Sequence, residues 1–284
     1  MKRAARRGLR VRPGATVAFQ GELGAFSQRA AQRVFGRRIT PVPCATFDDV
    51  FERVGSRAAD LAVIPIENAL FGSIHQNFDL LARHRLEAVG ETYVRIEHHL
   101  IAHPGVSLGD IKRIYSHPVA LAQCQRFLRR LKAVEKVSFY DTAGSVKHIR
   151  EERLRDAAAI ASQEAARIYR LRIIRRNVED NRENYTRFLA LARRGRFSRG
   201  GAKTTVVFGL RNEPGALFRA LSVFALRNID LTKIESRPIH GRPWEYLFYI
   251  DLASDVRSPE CRNALRHLRE MALHLEVLGS YPAF

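Results

Sequence analysis

From residue 16 to about 190, short apolar runs bounded by polar turns alternate with stretches of helical period. The run at 61–66, Leu-Ala-Val-Ile-Pro-Ile, is short and wholly apolar, as in a strand buried on both faces. Runs at 16–20, 113–115, 134–140 and 157–161 read in the same way. Helices are expected over 26–35, 73–83, 120–131 and 142–151. In the second of these, Ile74, Phe78 and Leu81 fall on one face at a period of 3.6 residues. Alternation of this kind predicts parallel sheets flanked by helices, an α/β fold. The number of strands, about ten, predicts two small lobes in place of one sheet.

Residues 193–202 interrupt the pattern with three Gly, one Ser and four Arg, and so predict a linker. Beyond it the order changes. Strands are expected at 204–210, 229–236, 246–252 and 275–281, with helices at 215–227 and 259–272. That order, βαββαβ, is the ferredoxin-like split unit. The chain therefore divides into a basic disordered tail (1–15), an α/β part (16–192), the linker (193–202) and a small α/β domain (203–284).

Charge changes the picture less than its size suggests. The 284 residues hold 48 Lys+Arg against 29 Asp+Glu, a net +19. Such an excess alone points to nucleic acid or an acidic membrane surface. Yet 1–12 carry +6 and 193–203 carry +5, while the α/β part (13–192) holds +7 and the C-terminal domain (204–284) only +1. More than half the excess thus lies in a tail and a linker, where solvation accounts for it, and a nucleic-acid partner is not expected. The basic clusters also hold a single aromatic, Phe197, too few for a stacking platform. No apolar run approaches the ~20 residues of a spanning helix, so no membrane partner is expected either. Cys44, Cys124 and Cys261 are few and far apart, which fits neither a disulfide framework nor a zinc site, and they predict unpaired thiols in a reducing cytoplasm.

Four segments sit where α/β folds place ligands, at strand ends that lead into helices. Gly21-Glu22-Leu23-Gly24-Ala25-Phe26-Ser27 follows the first strand and opens a helix. Its glycines would allow close backbone approach and its helix start would attract an anion, although alone the segment reads first as a plain strand-to-helix turn. Asn68 closes the apolar strand at 61–66. Asp141-Thr142-Ala143 starts a helix, as a cap or also as a helix end that holds a ligand carboxylate, and His117-Pro118 sits between a strand and a helix, where the His is structural or a proton donor. In Asn184-Tyr185-Thr186-Arg187-Phe188, a hydroxyl, a guanidinium and a ring are adjacent. Strand alternation puts Thr186 and Phe188 on one face and Arg187 on the other, unless the strand bends.

At these residues the sequence resembles the prephenate dehydratase family, with motifs in order across most of 16–282. They are Gly21 to Ser27, Pro65 to Asn68 with Gly72-Ser73, His117-Pro118 followed by Ala120 to Cys124, Asp141 to Ala143, and Asp180 through Asn184 to Phe188. The C-terminal domain resembles an ACT regulatory domain through Asn212-Glu213-Pro214-Gly215-Ala216-Leu217-Phe218 and Glu235-Ser236-Arg237-Pro238. The stretches Gly72 to Asp79 and Asp141 to Gly144 look most like the plant-type branch, some of whose members act on arogenate.

The resemblance implies a two-lobed catalytic domain like the type II periplasmic binding proteins, with one lobe formed by 16–98 and 178–192 and the other by 99–177. It implies decarboxylative dehydration of prephenate, or of arogenate, with no cofactor and no metal. Thr186, Arg187 and Phe188 are the implied catalytic residues; Ser27, Asn68, His117, Gln123, Thr142 and Ala143 are those implied to bind substrate. Thr186 would meet the leaving hydroxyl. Arg187, if it touches substrate, should hold the carboxylate that survives, because a clamp on the departing one would stabilise the ground state. Phenylalanine is expected as an allosteric ligand at Asn212, Gly215, Ala216, Leu217, Glu235, Ser236 and Arg237, in a homodimer or homotetramer. The competing reading is a non-catalytic solute-binding or sensor protein, since a two-lobed fold alone is a binding scaffold.

Overall fold

The computed structural model describes residues 9–195, 200–239 and 241–282. Three sheets organise them. The first holds β1 (Thr16–Gln20), β2 (Thr40–Cys44), β3 (Leu61–Asn68), β4 (Gly72–Ser73), β5 (Leu86–Arg95) and β11 (Tyr185–Arg193), in the order β2-β1-β3-β11-β5 with β4 paired to β3. The second holds β6 (His99–Ala102), β7 (Arg113–Ser116), β8 (Glu135–Ser138), β9 (Ala157–Ala161) and β10 (Arg172–Arg175), in the order β10-β6-β9-β7-β8. The third holds β12 (Lys203–Gly209), β13 (Leu231–Pro238), β14 (Tyr246–Leu252) and β15 (His274–Tyr281), in the order β13-β14-β12-β15. The helices are α1 (Phe26–Phe35), α2 (Phe47–Gly55), α3 (His75–Arg83), α4 (Pro118–Ala122), α5 (Gln125–Leu128), α6 (Thr142–Glu151), α7 (Gln163–Ile168), α8 (Ala216–Ala225) and α9 (Pro259–Met271).

The sheets of the two lobes are mixed, not parallel throughout. Parallel pairing holds for β1 with β2 and β3, and for β7 with β8 and β9. β11 runs antiparallel to both β3 and β5 because it re-enters the first sheet from the second lobe, at the opposite end. The helix expected over 120–131 is broken into α4 and α5. The carbonyl of Gln123 accepts from the amide of Asp180 at 2.7 Å, and the Asp180 carboxylate takes the amide of Arg126 at 2.9 Å, so a crossing strap captures both sides of the break. The helix expected from residue 73 starts at His75, because Gly72 and Ser73 pair with Asn68 and Glu67 as β4.

One face of the first sheet is covered by α1, whose Ala30, Ala31 and Val34 pack with Val17, Val63 and Ala190. The other face meets α2 and α3 and also the third sheet. Val207, Tyr249, Leu278 and Tyr281 join Ile64, Leu189 and Leu191 in one core. The two domains therefore share buried apolar surface, the dominant favourable term in packing. α8 and α9 close the far side of the third sheet, through Val223, Phe224, Leu265 and Leu268.

The expected tail is ordered over part of its length. Residues 1–8 lie outside the described residues. The Leu9 amide donates to Val34 O at 2.8 Å, and Leu9 and Val11 pack on the α1 core. Arg12 pairs with Asp60 at 3.1 Å. In the expected linker, 196–199 lie outside the described residues, but the Arg193 guanidinium donates to Val54 O and Ala59 O, and Arg194 pairs with Glu276. Part of the basic excess is thus engaged in packing as well as solvated. Among the described residues no helix is long and apolar enough to cross a membrane.

Candidate active site

A cavity of about 690 Å³ opens between the two lobes. The first lobe lines it with Phe26, Ser27, Asn68, Ser73, Thr186 and Phe188, and the second with His117, Gln123, Tyr140, Asp141 and Thr142. Seven of the residues expected from the sequence meet here: Ser27, Asn68, His117, Gln123, Thr142, Thr186 and Phe188.

Thr186 lies in the wall of the cavity. The Asn68 amide donates to its hydroxyl at 2.9 Å and to Asn184 Oδ1 at 2.8 Å. Asn68 Oδ1 in turn accepts the amides of Leu70 and Phe71, at 3.0 and 3.1 Å, across the β3–β4 turn. With its N–H groups committed in this way, Asn68 holds Thr186 and is not placed to take a substrate carboxylate. The Thr186 oxygen accepts from Asn68, so its own proton is left to donate elsewhere.

No Lys or Arg lines the cavity among the described residues. Two helix starts line it from the two lobes. α1 begins at Phe26 with Ser27 next, and α6 begins at Thr142. Unpaired first-turn amides and the helix dipole favour an anion at such ends. Asp141 caps α6 by accepting Gly144 N at 2.8 Å and reaches across to accept Glu22 N at 3.1 Å. Burial pushes its carboxyl above the ordinary value, and the amides that it accepts work against that.

The glycines of the first motif serve this seam rather than a ligand. Gly21 and Gly24 have φ of +106° and +93°, in the region that favours glycine. A Cβ on Gly21 would lie 2.9 Å from Asp141 Oδ1, and one on Gly24 would lie 2.6 Å from the Ala165 Cα. Ser162 Oγ donates to Gly24 O at 2.6 Å, and Lys147 pairs with Glu22 at 3.1 Å. The loop is thus where the two lobes close on one another.

His98, which the sequence did not single out, also lines the cavity. Its ring faces Gln123 Oε1 at 2.8 Å, and its amide donates to Glu179 at 2.9 Å. Burial pushes the imidazole down to about 4, against the pull of Gln123. A neutral ring donates from Nε2 to Gln123 Oε1, leaving the amide nitrogen of Gln123 free to donate. His117 is likewise lowered by burial, with Asp141 opposing. Its Nδ1 accepts Val119 N at 3.3 Å, so the neutral ring carries its proton on Nε2.

The His98 shift carries a stability consequence. Between the ordinary value of 6.5 and about 4, the unfolded chain binds a proton that the folded chain refuses. Its contribution is whole above pH 6.5 and is lost as pH falls to about 4, by up to about 3 kcal/mol. Urea titrations at pH 7.5 and 4.5 should show that loss, and His98→Gln should reduce it. An equal pH dependence in the variant would refute the assignment to His98.

Two expected residues lie elsewhere. Ala143 is wholly buried and packs in the second-lobe core with Val146 and Ala159, so its side chain does not line the cleft. Arg187 points to the opposite face of β11, away from the cavity. It pairs there with Glu91 at 2.7 Å and with Asp251, and donates to Tyr281 Oη at 3.3 Å. Strand alternation survives despite a bulge between Arg187 and Phe188, so Arg187, expected among the catalytic residues and to hold a carboxylate only if it touched substrate, lies outside the cavity lining. Burial works against its charge, and Asp251, Tyr281 and Glu91 outweigh that to hold it above its ordinary value. In the C-terminal domain, Asn212, Gly215, Ala216 and Leu217 sit at the entry to α8. Ser236 is on the exposed side of β13, whereas Glu235 and Arg237 face the catalytic lobe, toward Ser73, His75 and Asp79.

The prephenate dehydratase family model matches residues 17–196, and an ACT domain model matches 204–269. The chain belongs to the prephenate dehydratase family. It is 48% identical over 94% of its length to "Arogenate dehydratase/prephenate dehydratase 2, chloroplastic" of Arabidopsis thaliana, and covers 72% of that protein. The crystal structure of a prephenate dehydratase in complex with L-Phe, from Arthrobacter aurescens, is 34% identical with a TM-score of 0.87, over 94% of this chain and 90% of that one. A structure named GqqA, described as a quorum quenching acylase, is 36% identical with a TM-score of 0.85, over 95% and 98% of the two chains. The Arabidopsis relative overturns the expected cytoplasmic location, since its name places it in the chloroplast. Cys44, Cys124 and Cys261 are buried and unpaired, as expected.

Proposed function

We propose that this protein is a prephenate dehydratase of phenylalanine biosynthesis, converting prephenate to phenylpyruvate under feedback from phenylalanine. The observation that carries the proposal is the Thr186 hydroxyl, oriented by Asn68 and directed into a cleft between two helix starts. Prephenate is a dianion. As CO₂ departs from the ring, its bonding pair enters the ring, and the hydroxyl on the far carbon leaves with one proton from solvent as water. Aromatisation drives the step, so the protein needs to orient the substrate and stabilise the leaving oxygen. Thr186 supplies the hydrogen bond to that oxygen. Ser27 and Thr142 at the helix starts, with the Gln123 amide and His117 Nε2, hold the carboxylates. The Phe188 ring gives an apolar wall beside the departing CO₂. A cavity with no Lys or Arg among its described lining residues suits this reaction, because a tight ion pair on the leaving carboxylate would weaken as its charge moves away.

Arogenate offers the same reacting ring, and the Arabidopsis relative carries both names, so it is the second substrate to test. Acyl hydrolysis is less well served. Thr186 Oγ is held by an amide, not by an imidazole or carboxylate that could remove its proton. A homodimer or homotetramer would form through the C-terminal domain, whose edge strand β13 is unpaired on one side among the described residues and whose Phe218 and Leu226 are 77% and 81% exposed. Phenylalanine would sit at that edge, near Asn212, Gly215 to Leu217 and Ser236.

The test is turnover of purified protein on prephenate and on arogenate, with and without phenylalanine, with light scattering on the same samples. Phenylpyruvate from prephenate, suppressed by phenylalanine in a dimer or larger, is the expected result. Inactivity on both substrates would sink the proposal.

A further inference from the structure

β13 belongs to the C-terminal domain, yet its inward face reaches the active-site wall. Its residues alternate between half-buried and exposed, so that Lys233, Glu235 and Arg237 point toward the first lobe. The Lys233 side chain is 10% exposed; Nζ lies 3.2 Å from Glu67 Oε1 and donates to Ser73 Oγ at 3.0 Å. Its ammonium lies over the Phe78 ring, 5.6 Å from the centroid. Glu235 accepts the Ser73 hydroxyl and faces His75 Nε2 at 3.1 Å. Arg237 grips Asp79 with two hydrogen bonds, at 3.1 and 2.8 Å.

Glu67 and Ser73 are cross-strand partners in β3 and β4, and the next pair is Asn68 with Gly72. Lys233 and Glu235 thus hold both strands of the hairpin that carries Asn68. Asn68 closes the turn of that hairpin through the Leu70 and Phe71 amides and orients Thr186 through its own. Side-chain contacts from β13 therefore reach Glu67 and Ser73, and the hairpin backbone links these to Asn68 and through it to the reacting hydroxyl. Catalytic groups lose much of their effect when displaced by about 1 Å, so a hairpin of this size needs a rigid support.

We propose that Lys233 and Glu235 are positioning residues for the dehydratase reaction, holding the Asn68 hairpin from the C-terminal domain, and that a ligand on the outer face of β13 is read out through the same grip. This rests on the function proposed above, since it concerns the same cleft and the same regulatory ligand. A strand shared by two faces cannot shift on one without shifting on the other, and differential affinity for the shifted state is all that inhibition requires.

The test uses the full chain with Lys233→Met, which keeps the stem over Phe78 and removes the charge, and with Glu235→Gln. Each is expected to lower kcat on prephenate about tenfold or more with KM within about twofold, the split that marks a group acting in the transition state. Lys233→Arg should restore much of the loss, because it can still donate to Glu67 and Ser73. Phenylalanine should still bind Lys233→Met by calorimetry while its fold-inhibition falls. Should Lys233→Met fold poorly, Glu235→Gln and Lys233→Arg carry the comparison. Wild-type kcat and an unchanged phenylalanine response in both charge-removing variants would overturn this inference and leave the dehydratase reading intact. A wild-type protein inert on both substrates would overturn both, before any variant is compared.

Discussion

Replacing Thr186 by alanine should lower kcat on prephenate by roughly 10²- to 10⁴-fold, the range for a group that donates to charge developing in the transition state. The fold should survive. Asn68 keeps its bonds to Asn184 Oδ1 and to the Leu70 and Phe71 amides, so stability should fall by only about 1 kcal/mol. Thr186→Ser should retain far more activity than alanine, because a hydroxyl can still accept from Asn68 and donate to substrate. Steady-state kinetics with the unfolding midpoint measured on the same samples separates chemistry from folding. Near-normal kcat in Thr186→Ala would remove the residue from the reaction.

The neighbouring residue should fail in the opposite way. Arg187→Met is expected to cost about 3–5 kcal/mol of stability, the usual penalty for breaking a buried ion pair from one side. Glu91 would keep Lys203 at 2.7 Å, but Asp251 would be left with the Thr205 hydroxyl at 2.6 Å and no cation among the partners described for it. The KM for prephenate, measured on the folded fraction, should stay near that of the unaltered chain. Urea denaturation and kinetics together decide the matter. A KM raised about 100-fold at unchanged stability would return Arg187 to the substrate.

These adjacent residues show how much was legible beforehand. Period-two alternation was enough to separate Thr186 and Phe188 from Arg187. It could not say what covered the second face, because the Arg- and Gly-rich stretch at 193–202 reads as a spacer, not as a short bridge into a shared core. Asn68 was legible as a cleft residue from its place at a strand end. Its role in orienting Thr186 depends on β11 lying beside β3, a pairing of residues more than a hundred positions apart. The Gly21 and Gly24 loop was legible as a close-approach site, but the approaching group proved to be the second lobe. His98 carried no local signal at all. It enters the cleft because β5 ends there, and β5 has none of the sharp apolar pattern that marks β3. Glu235 stands out through its motif, and only the third sheet's position reveals that its carboxylate faces the catalytic lobe.

The Arg187 cluster has a practical consequence for attempts to make an unregulated enzyme by truncation. Deleting residues 203–284 would remove Asp251, Thr205, Tyr281 and Lys203 together, and would strip Val207, Tyr249 and Leu278 from a common core. The catalytic fragment would be left with a guanidinium, a carboxylate and a bare apolar face in contact with water. Such a surface favours aggregation over loss of feedback alone. In this chain the regulatory domain is not a detachable module, and relief of inhibition is better sought by point changes at the entry to α8 than by shortening the protein.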